Sequence, residues 1–118
     1  MPPAHDLEEV RRLAGLGSPH ARPFKDNALD MVADALDVDL VAAEAHILKL
    51  VGRLTPGCYV ETLTAKAPPA DVYGLAEVGH GWYIKVAIDR GKLLVISCHA
   101  PSRPLHTRSG ETITYRGY

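Results

Sequence analysis

The feature that most constrains this chain is a change of hydrophobic period at "LTPGCY", Leu54 to Tyr59. Upstream, apolar residues recur every three to four positions, as on one face of a helix. Downstream they alternate or cluster, as in strands. A chain patterned this way predicts an α+β domain in which N-terminal helices pack on a twisted antiparallel β-sheet. Its 118 residues fit a single domain over 1–118, with a helical half at about 1–54 and a sheet half at about 55–118. That length supports one hydrophobic core without staples.

In the first half, "HDLEEVRRLAGLG" offers Asp6 as an N-cap, acids Glu8 and Glu9 in the first turn, a stripe of Leu7, Val10, Leu13 and Ala14, and Gly17 as a stop. "SPHARPF" reads as a connector held extended by its prolines. "KDNALDMVADALDVD" predicts a helix capped by Asp26 or Asn27, with Ala28, Leu29, Val32, Ala35 and Leu36 on one face. "VDLVAAEAHILKLVGRL" predicts another, capped by Asp37 or Asp39, with Leu40, Ala43, Ile47, Leu48 and Val51 as its stripe, ending at Gly52. A tight turn around Asp37 joins the two.

In the second half, "PGCYVETLTAK" sets Tyr59, Glu61 and Leu63 against Val60, Thr62 and Thr64, the pattern of a strand. "APPADVYGLAEVGHG", with its prolines and glycines, reads as a loop. "GWYIKVAIDRGKLLVISCH" predicts a hairpin turning at "DRGK", where Gly91 is free to take a positive φ. Trp82, Ile84, Val86 and Ile88 point one way; Tyr83, Lys85, Ala87 and Asp89 point the other. The apolar run "LLVISCH" suits a central strand buried on both faces. "RPLHT" and "ETITYRG" flank the turn "RSG" as a last pair of strands.

The formal charge of −1 supplies no overall pull toward nucleic acid, so a polyanion site has to come from local clustering. Two cysteines without a short CxxC argue against a disulfide framework and against structural zinc. The opening "MPPAHDLEEV" lacks the basic start and apolar run of a signal peptide, and no stretch is apolar enough for a membrane span. A cytoplasmic protein with no membrane partner is expected. The phosphate-cradling motifs GxGxxG and GxxxxGK are absent, and no cofactor is expected.

Chemistry-bearing side chains gather in two places. Tyr83 and Lys85 share the polar side of their strand, about 7 Å apart. They read either as a solvated face or as a surface that grips phosphate and stacks a base. "HAPSRPLHTRSG" gathers His99, Arg103, His106 and Arg108. Imidazole gives or takes a proton near neutral pH, and an arginine fork holds phosphate oxygens; the plain alternative is a surface loop with scattered basic residues. A metal site on His99, His106 and Cys98 is disfavoured, because alternation sends Cys98 and His99 to opposite faces. Cys98 reads as an inert packed thiol, and His46 as a structural histidine. Asp71 and Tyr73 of "ADVY" either cap the loop or shape a site. Most acids lie in the helical half, which argues against glycosidase chemistry and a magnesium nuclease.

The order "ALDMVADALDVD", "CYVETLTA", "ADVY", "GWYIKVAI" and "LLVISCH" resembles the MqsR family of bacterial toxin ribonucleases, within the RelE-like class. The resemblance covers roughly Ala28 to His99, with "DVY" and "WYIK" its most specific parts. It implies a RelE-like toxin fold and a translation-linked endoribonuclease that cuts messenger RNA without a metal, checked by a cognate antitoxin protein. Tyr83 falls on the family's active-site tyrosine, Lys85 on the lysine of the same strand, and His99 where the family has a last-strand lysine. Arg103 and His106 of the titratable window complete the candidate catalytic set, as in a diverged site rebuilt around them, with Lys66, Tyr73 and Arg108 as candidate substrate-binding residues. Val60 or Glu61 stands where the family's FYKSM-like motif has lysine, and Ala70 where it has glutamine before "DVY". The other reading of the same residues is a non-catalytic immunity or regulatory protein with a related sheet.

Overall fold

A computed structural model describes residues 2–23 and 25–117, with backbone alone at residues 25 and 26. The change of period at Leu54 becomes a boundary between two layers. Helix α1 spans Leu7–Leu16, α2 Asp30–Leu36 and α3 Leu40–Gly52. They cover one face of a five-stranded sheet. Its strands are β1 (Ala21–Pro23), β2 (Tyr59–Leu63), β3 (Ala70–Glu77), β4 (His80–Asp89) and β5 (Lys92–His99), in the order β1-β5-β4-β3-β2. A separate short pair, β6 (Leu105–His106) and β7 (Thr112–Ile113), lies across the other face.

The helix N-caps form where a short polar side chain supplies an acceptor to a backbone N–H left unpaired in the first turn. Asp6 accepts from the Glu8 amide at 3.1 Å, and Asp39 from the Ala42 amide at 2.8 Å. Asp37 turns the chain between α2 and α3 in the left-handed conformation, at φ 54° and ψ 54°. Helical winding toward α2 starts as a π-helical stretch at Lys25–Leu29. Asn27 therefore sits inside the winding and does not cap it, while the Asp26 side chain lies outside the described residues. The wider turn also rotates the apolar face, so Ala33 packs on the core and Ala35 is exposed.

Three sheet expectations are corrected. The sheet is mixed, because the supposed connector "SPHARPF" contributes β1, which pairs in parallel with β5 from Ala21↔Leu93 to Pro23↔Val95. Its proline is tolerated because β1 is an edge strand. The supposed loop around "DVYGLAE" is strand β3, antiparallel to both β2 and β4. And β5 alternates rather than being buried on both faces. Leu93, Val95 and Cys98 are buried toward the helices, whereas Leu94, Ser97 and His99 are partly exposed on the outer face. The turn at Arg90 and Gly91, with φ 53° and 76°, has the primed geometry that matches strand twist.

The core lies between helices and sheet, with Trp82, Ile84, Val86, Leu93, Val95 and Cys98 from the strands meeting Val10, Leu13, Ala43, Ile47, Leu50 and Val51. Two polar anchors bind the layers. Asp71, fully buried, accepts the amides of Ala4 and His5 at 2.8 and 2.9 Å and the Thr62 hydroxyl at 2.6 Å. The Thr62 proton is committed to that carboxylate, so the Tyr59 hydroxyl donates to Thr62 Oγ1 at 2.6 Å. Glu77 accepts from Trp82 Nε1 at 2.8 Å, His46 Nε2 at 2.9 Å and Arg53 Nη1 at 3.3 Å. His46 is thus the structural residue its setting suggested.

Burial works to raise the Glu77 pKa, but the hydrogen bonds from Trp82 and His46 and the charge of Arg53 outweigh it and hold the carboxyl below its usual value. A carboxyl depressed in the folded state stabilises the protein above its unfolded pKa, and the gain is lost as pH falls through the folded value. Glu77→Gln is expected to cost about 1–2 kcal/mol at pH 7. The gap from the unsubstituted protein should narrow below about pH 4. Urea denaturation at pH 7 and pH 3 measures both, and an equal gap at the two pH values would contradict the linkage.

Candidate functional site

The outer face of the sheet is where the polar residues of β4 and β5 come together. Two irregularities in strand pairing arrange it. In β5 the register passes from Lys85↔Ser97 to Val86↔Val95, so Ile96 is an extra residue. This bulge re-phases the strand, sending Cys98 inward and Ser97 and His99 outward. In β2 the register passes from Tyr59↔Tyr73 to Glu61↔Val72, with Val60 as the extra residue. Tyr59 and Glu61 therefore lie on opposite faces, not on the one face that simple alternation predicts.

The chain after β5 folds back over this surface. Gly74 makes room for it, since a Cβ there would lie 3.1 Å from Ile113 Cγ1 and 3.3 Å from both Leu105 Cδ1 and Thr107 Cγ2. At Gly81 a Cβ would collide with the carbonyl of Thr114. Between the sheet and the returning segment is a cleft of about 660 Å³. Its floor is Val60, Glu61 and Leu63 of β2, Tyr83 and Lys85 of β4, and Ser97 and His99 of β5; Ser102 to His106 form its wall.

The cleft thus brings together Tyr83, Lys85, His99, Arg103 and His106. Tyr83 pairs with His99 across the strands, and their rings stack with centroids 4.9 Å apart and planes 11° from parallel. His99 Nδ1 lies 2.8 Å from the Ala100 carbonyl oxygen. A carbonyl only accepts, so Nδ1 carries the hydrogen and the neutral ring keeps its lone pair on Nε2. His106 Nδ1 is 3.3 Å from the Thr112 hydroxyl. Burial, and then the negative charge of Glu61, push the Tyr83 phenol above its usual pKa, so it stays a hydrogen-bond donor. Lys85 and Arg103 have no ion pair or hydrogen bond to any described side chain. The cleft can therefore receive an anion without first breaking a contact.

Three other candidates lie elsewhere. Tyr73 is fully buried on the helix side, edge-on to Tyr59 at 5.8 Å, so it does not face the cleft. Lys66 is exposed in the connection between β2 and β3 and does not line it. Arg108 stacks over the Tyr59 ring at 4.6 Å, in the turn between β6 and β7. Cys98 is fully buried, and burial with the charge of Glu77 pushes its thiol up to about 12, so it is no nucleophile. Among the described residues no group of three or more His, Cys, Asp or Glu side chains is placed to hold a metal ion.

Ser97, Ser102 and Glu61 line the cleft without having been singled out for it. Glu61 carried a signal, being one of the few acids in the sheet half, but the bulge at Val60 that turns it outward has no mark in the sequence. No protein-family model matches the chain, and no curated protein matches it. Among the described residues no helix is long and apolar enough to cross a membrane.

The Tyr73 hydroxyl is buried and finds no hydrogen-bond partner among the described residues, and burial together with the charge of Asp71 raises its pKa. An unpaired buried hydroxyl is a cost to folding. Tyr73→Phe is expected to leave stability unchanged or raise it by up to about 1 kcal/mol in urea denaturation. A loss of more than about 1 kcal/mol would show that the hydroxyl is bound in the native state.

Proposed function

We propose that the protein is a metal-independent endoribonuclease acting on messenger RNA in the cytoplasm, the toxin of a pair whose antitoxin holds it in check. The observation that supports this reading is the convergence of two imidazoles, two unpaired cations and a protonated tyrosine in one cleft. RNA carries its own nucleophile, so the protein has only to move protons and stabilise charge. His99 takes the 2′-hydroxyl proton on Nε2, the nitrogen left free by the hydrogen bond from Nδ1 to Ala100. The 2′-oxygen attacks phosphorus as the bond to the 5′-oxygen breaks. Lys85 and Arg103 stabilise the extra charge on the phosphate oxygens. His106 donates a proton to the leaving 5′-oxygen. The products are a 2′,3′-cyclic phosphate and a 5′-hydroxyl. Tyr83 fixes the plane of the His99 ring by stacking and offers its hydroxyl to the phosphate.

The purified protein is expected to cut single-stranded RNA in the presence of EDTA and to leave 2′,3′-cyclic phosphate ends. A 2′-deoxy residue at the cut site should block the reaction. His99→Ala should lower the rate by about 10²–10⁴-fold, and Lys85→Ala by about 10²-fold. Either substitution should relieve growth arrest when the protein is expressed alone. Cleavage that needs a divalent ion, cleavage of the 2′-deoxy substrate, or full activity in His99→Ala would overturn the reading.

A further inference from the structure

We infer that Glu61 reads the base of the bound nucleotide, selecting an edge with two adjacent N–H donors, as guanine offers. The inference rests on the cleft being a nucleotide site, and it assigns a residue and a specificity that the cleavage scheme leaves out.

The cleft is chemically divided. Its β4–β5 end carries Lys85, Ser97, His99 and Tyr83, a surface for a phosphate. Its β2 end carries Val60 and Leu63 with one carboxylate, Glu61, between them. A carboxylate is a poor neighbour for a phosphate and a good acceptor for base N–H groups. The Glu61 side chain has no hydrogen bond or ion pair with any other described residue.

Distance decides between two roles for this acid. Glu61, Val72, Lys85 and Ser97 lie in one row across β2, β3, β4 and β5. With strands about 4.8 Å apart, the Glu61 backbone is about 10 Å from Lys85 and about 14 Å from β5. That puts Lys85 between Glu61 and the strand that carries His99, whose partner for proton transfer in the cleavage scheme is His106. The spacing from Lys85 matches the span from a phosphate to the far edge of its own base. Val60 and Leu63 then give the base an apolar bed, and the two carboxylate oxygens face a bidentate donor edge. Uracil and inosine, which present one N–H on that edge, satisfy only one of those oxygens.

Binding of guanosine 3′-monophosphate and inosine 3′-monophosphate, which differ by the 2-amino group, tests this by titration calorimetry without requiring turnover. The protein is expected to favour the guanosine nucleotide by about tenfold, and Glu61→Gln should bring that ratio close to one. Equal binding by the unsubstituted protein, an unchanged ratio in Glu61→Gln, or no binding of either nucleotide would overturn the inference. RNA cleavage with a ratio of one removes Glu61 as a reader and leaves the nuclease standing. The expected ratio in a protein that cuts no RNA removes the nuclease and leaves the reader.

Discussion

The site depends on one extra residue in β5. Without Ile96 as a bulge, strict pairing from the β4–β5 turn would carry Ser97 toward the helices with Leu93 and Val95, and would turn Cys98 outward beside Tyr83. His99, next along, would then face the core against the buried side of β4. The bulge costs ladder hydrogen bonds locally, and the core recovers by receiving Cys98, which is fully buried among apolar neighbours. A slip of one position thus converts a core strand into a strand whose last three residues serve the core and the outer face in turn. The stacking of His99 on Tyr83 follows from that register, since the two become direct cross-strand partners.

A bulge alone would leave these side chains on a flat, solvated sheet. The cleft exists because the chain after Ala100 comes back across the same face, and it comes close only where the sheet lacks side chains. Gly74 lies under Leu105, Thr107 and Ile113, and Gly81 under the Thr114 carbonyl, with its amide donating to the Tyr115 carbonyl at 3.0 Å. The returning segment is also held at its turn, where the amides of Arg108 and Ser109 donate to the carbonyls of Tyr59 and Gly57 at 2.8 and 3.0 Å. These ties fix the wall that carries Arg103 and His106 against the floor that carries Lys85 and His99. Sheet and tail are therefore one device, each incomplete without the other.

This arrangement explains what the sequence disclosed and what it hid. The helices were legible because caps and stripes are local: Asp6, Asp39, Gly17 and the Asp37 turn act within a few residues of themselves. The shared face of Tyr83 and Lys85 was legible because period two places them, and the titratable window from His99 was visible as a cluster, but His99 joins that face only through the bulge. Strand β3 was hidden because Gly74, needed for the overlying tail, looks like a loop residue when read locally. Tyr73 read as a loop or site residue for the same reason, although its place opposite Ile84 puts it in the core. Strand β1 was hidden because its partner is some seventy residues away, at Leu93 to Val95. The bulge in β5 was hidden because an unbroken apolar run such as "LLVISCH" has the same appearance whether it is buried on two faces or shifts phase midway.

The near-neutral charge hides a division that the fold turns into a field. The helical half, residues 1–54, holds nine acidic and six basic residues, while residues 55–118 hold five acidic and seven basic ones. Because the helices occupy the opposite side of the sheet from the cleft, the negative excess sits away from the face that carries Lys85 and Arg103. Of the five acids in the second half, Asp71 and Glu77 are committed to hydrogen bonds on the helix side and Asp89 and Glu111 stand outside the cleft lining. Glu61 alone among them enters the cleft. A polyanion approaching the outer face meets two unpaired cations at short range and is not drawn to the molecule as a whole, since exposed charges beyond about 10 Å are screened in salt. Selectivity in such a protein rests on contacts inside the cleft rather than on bulk attraction, so the single acid placed there weighs more than its one charge would on a strongly basic surface.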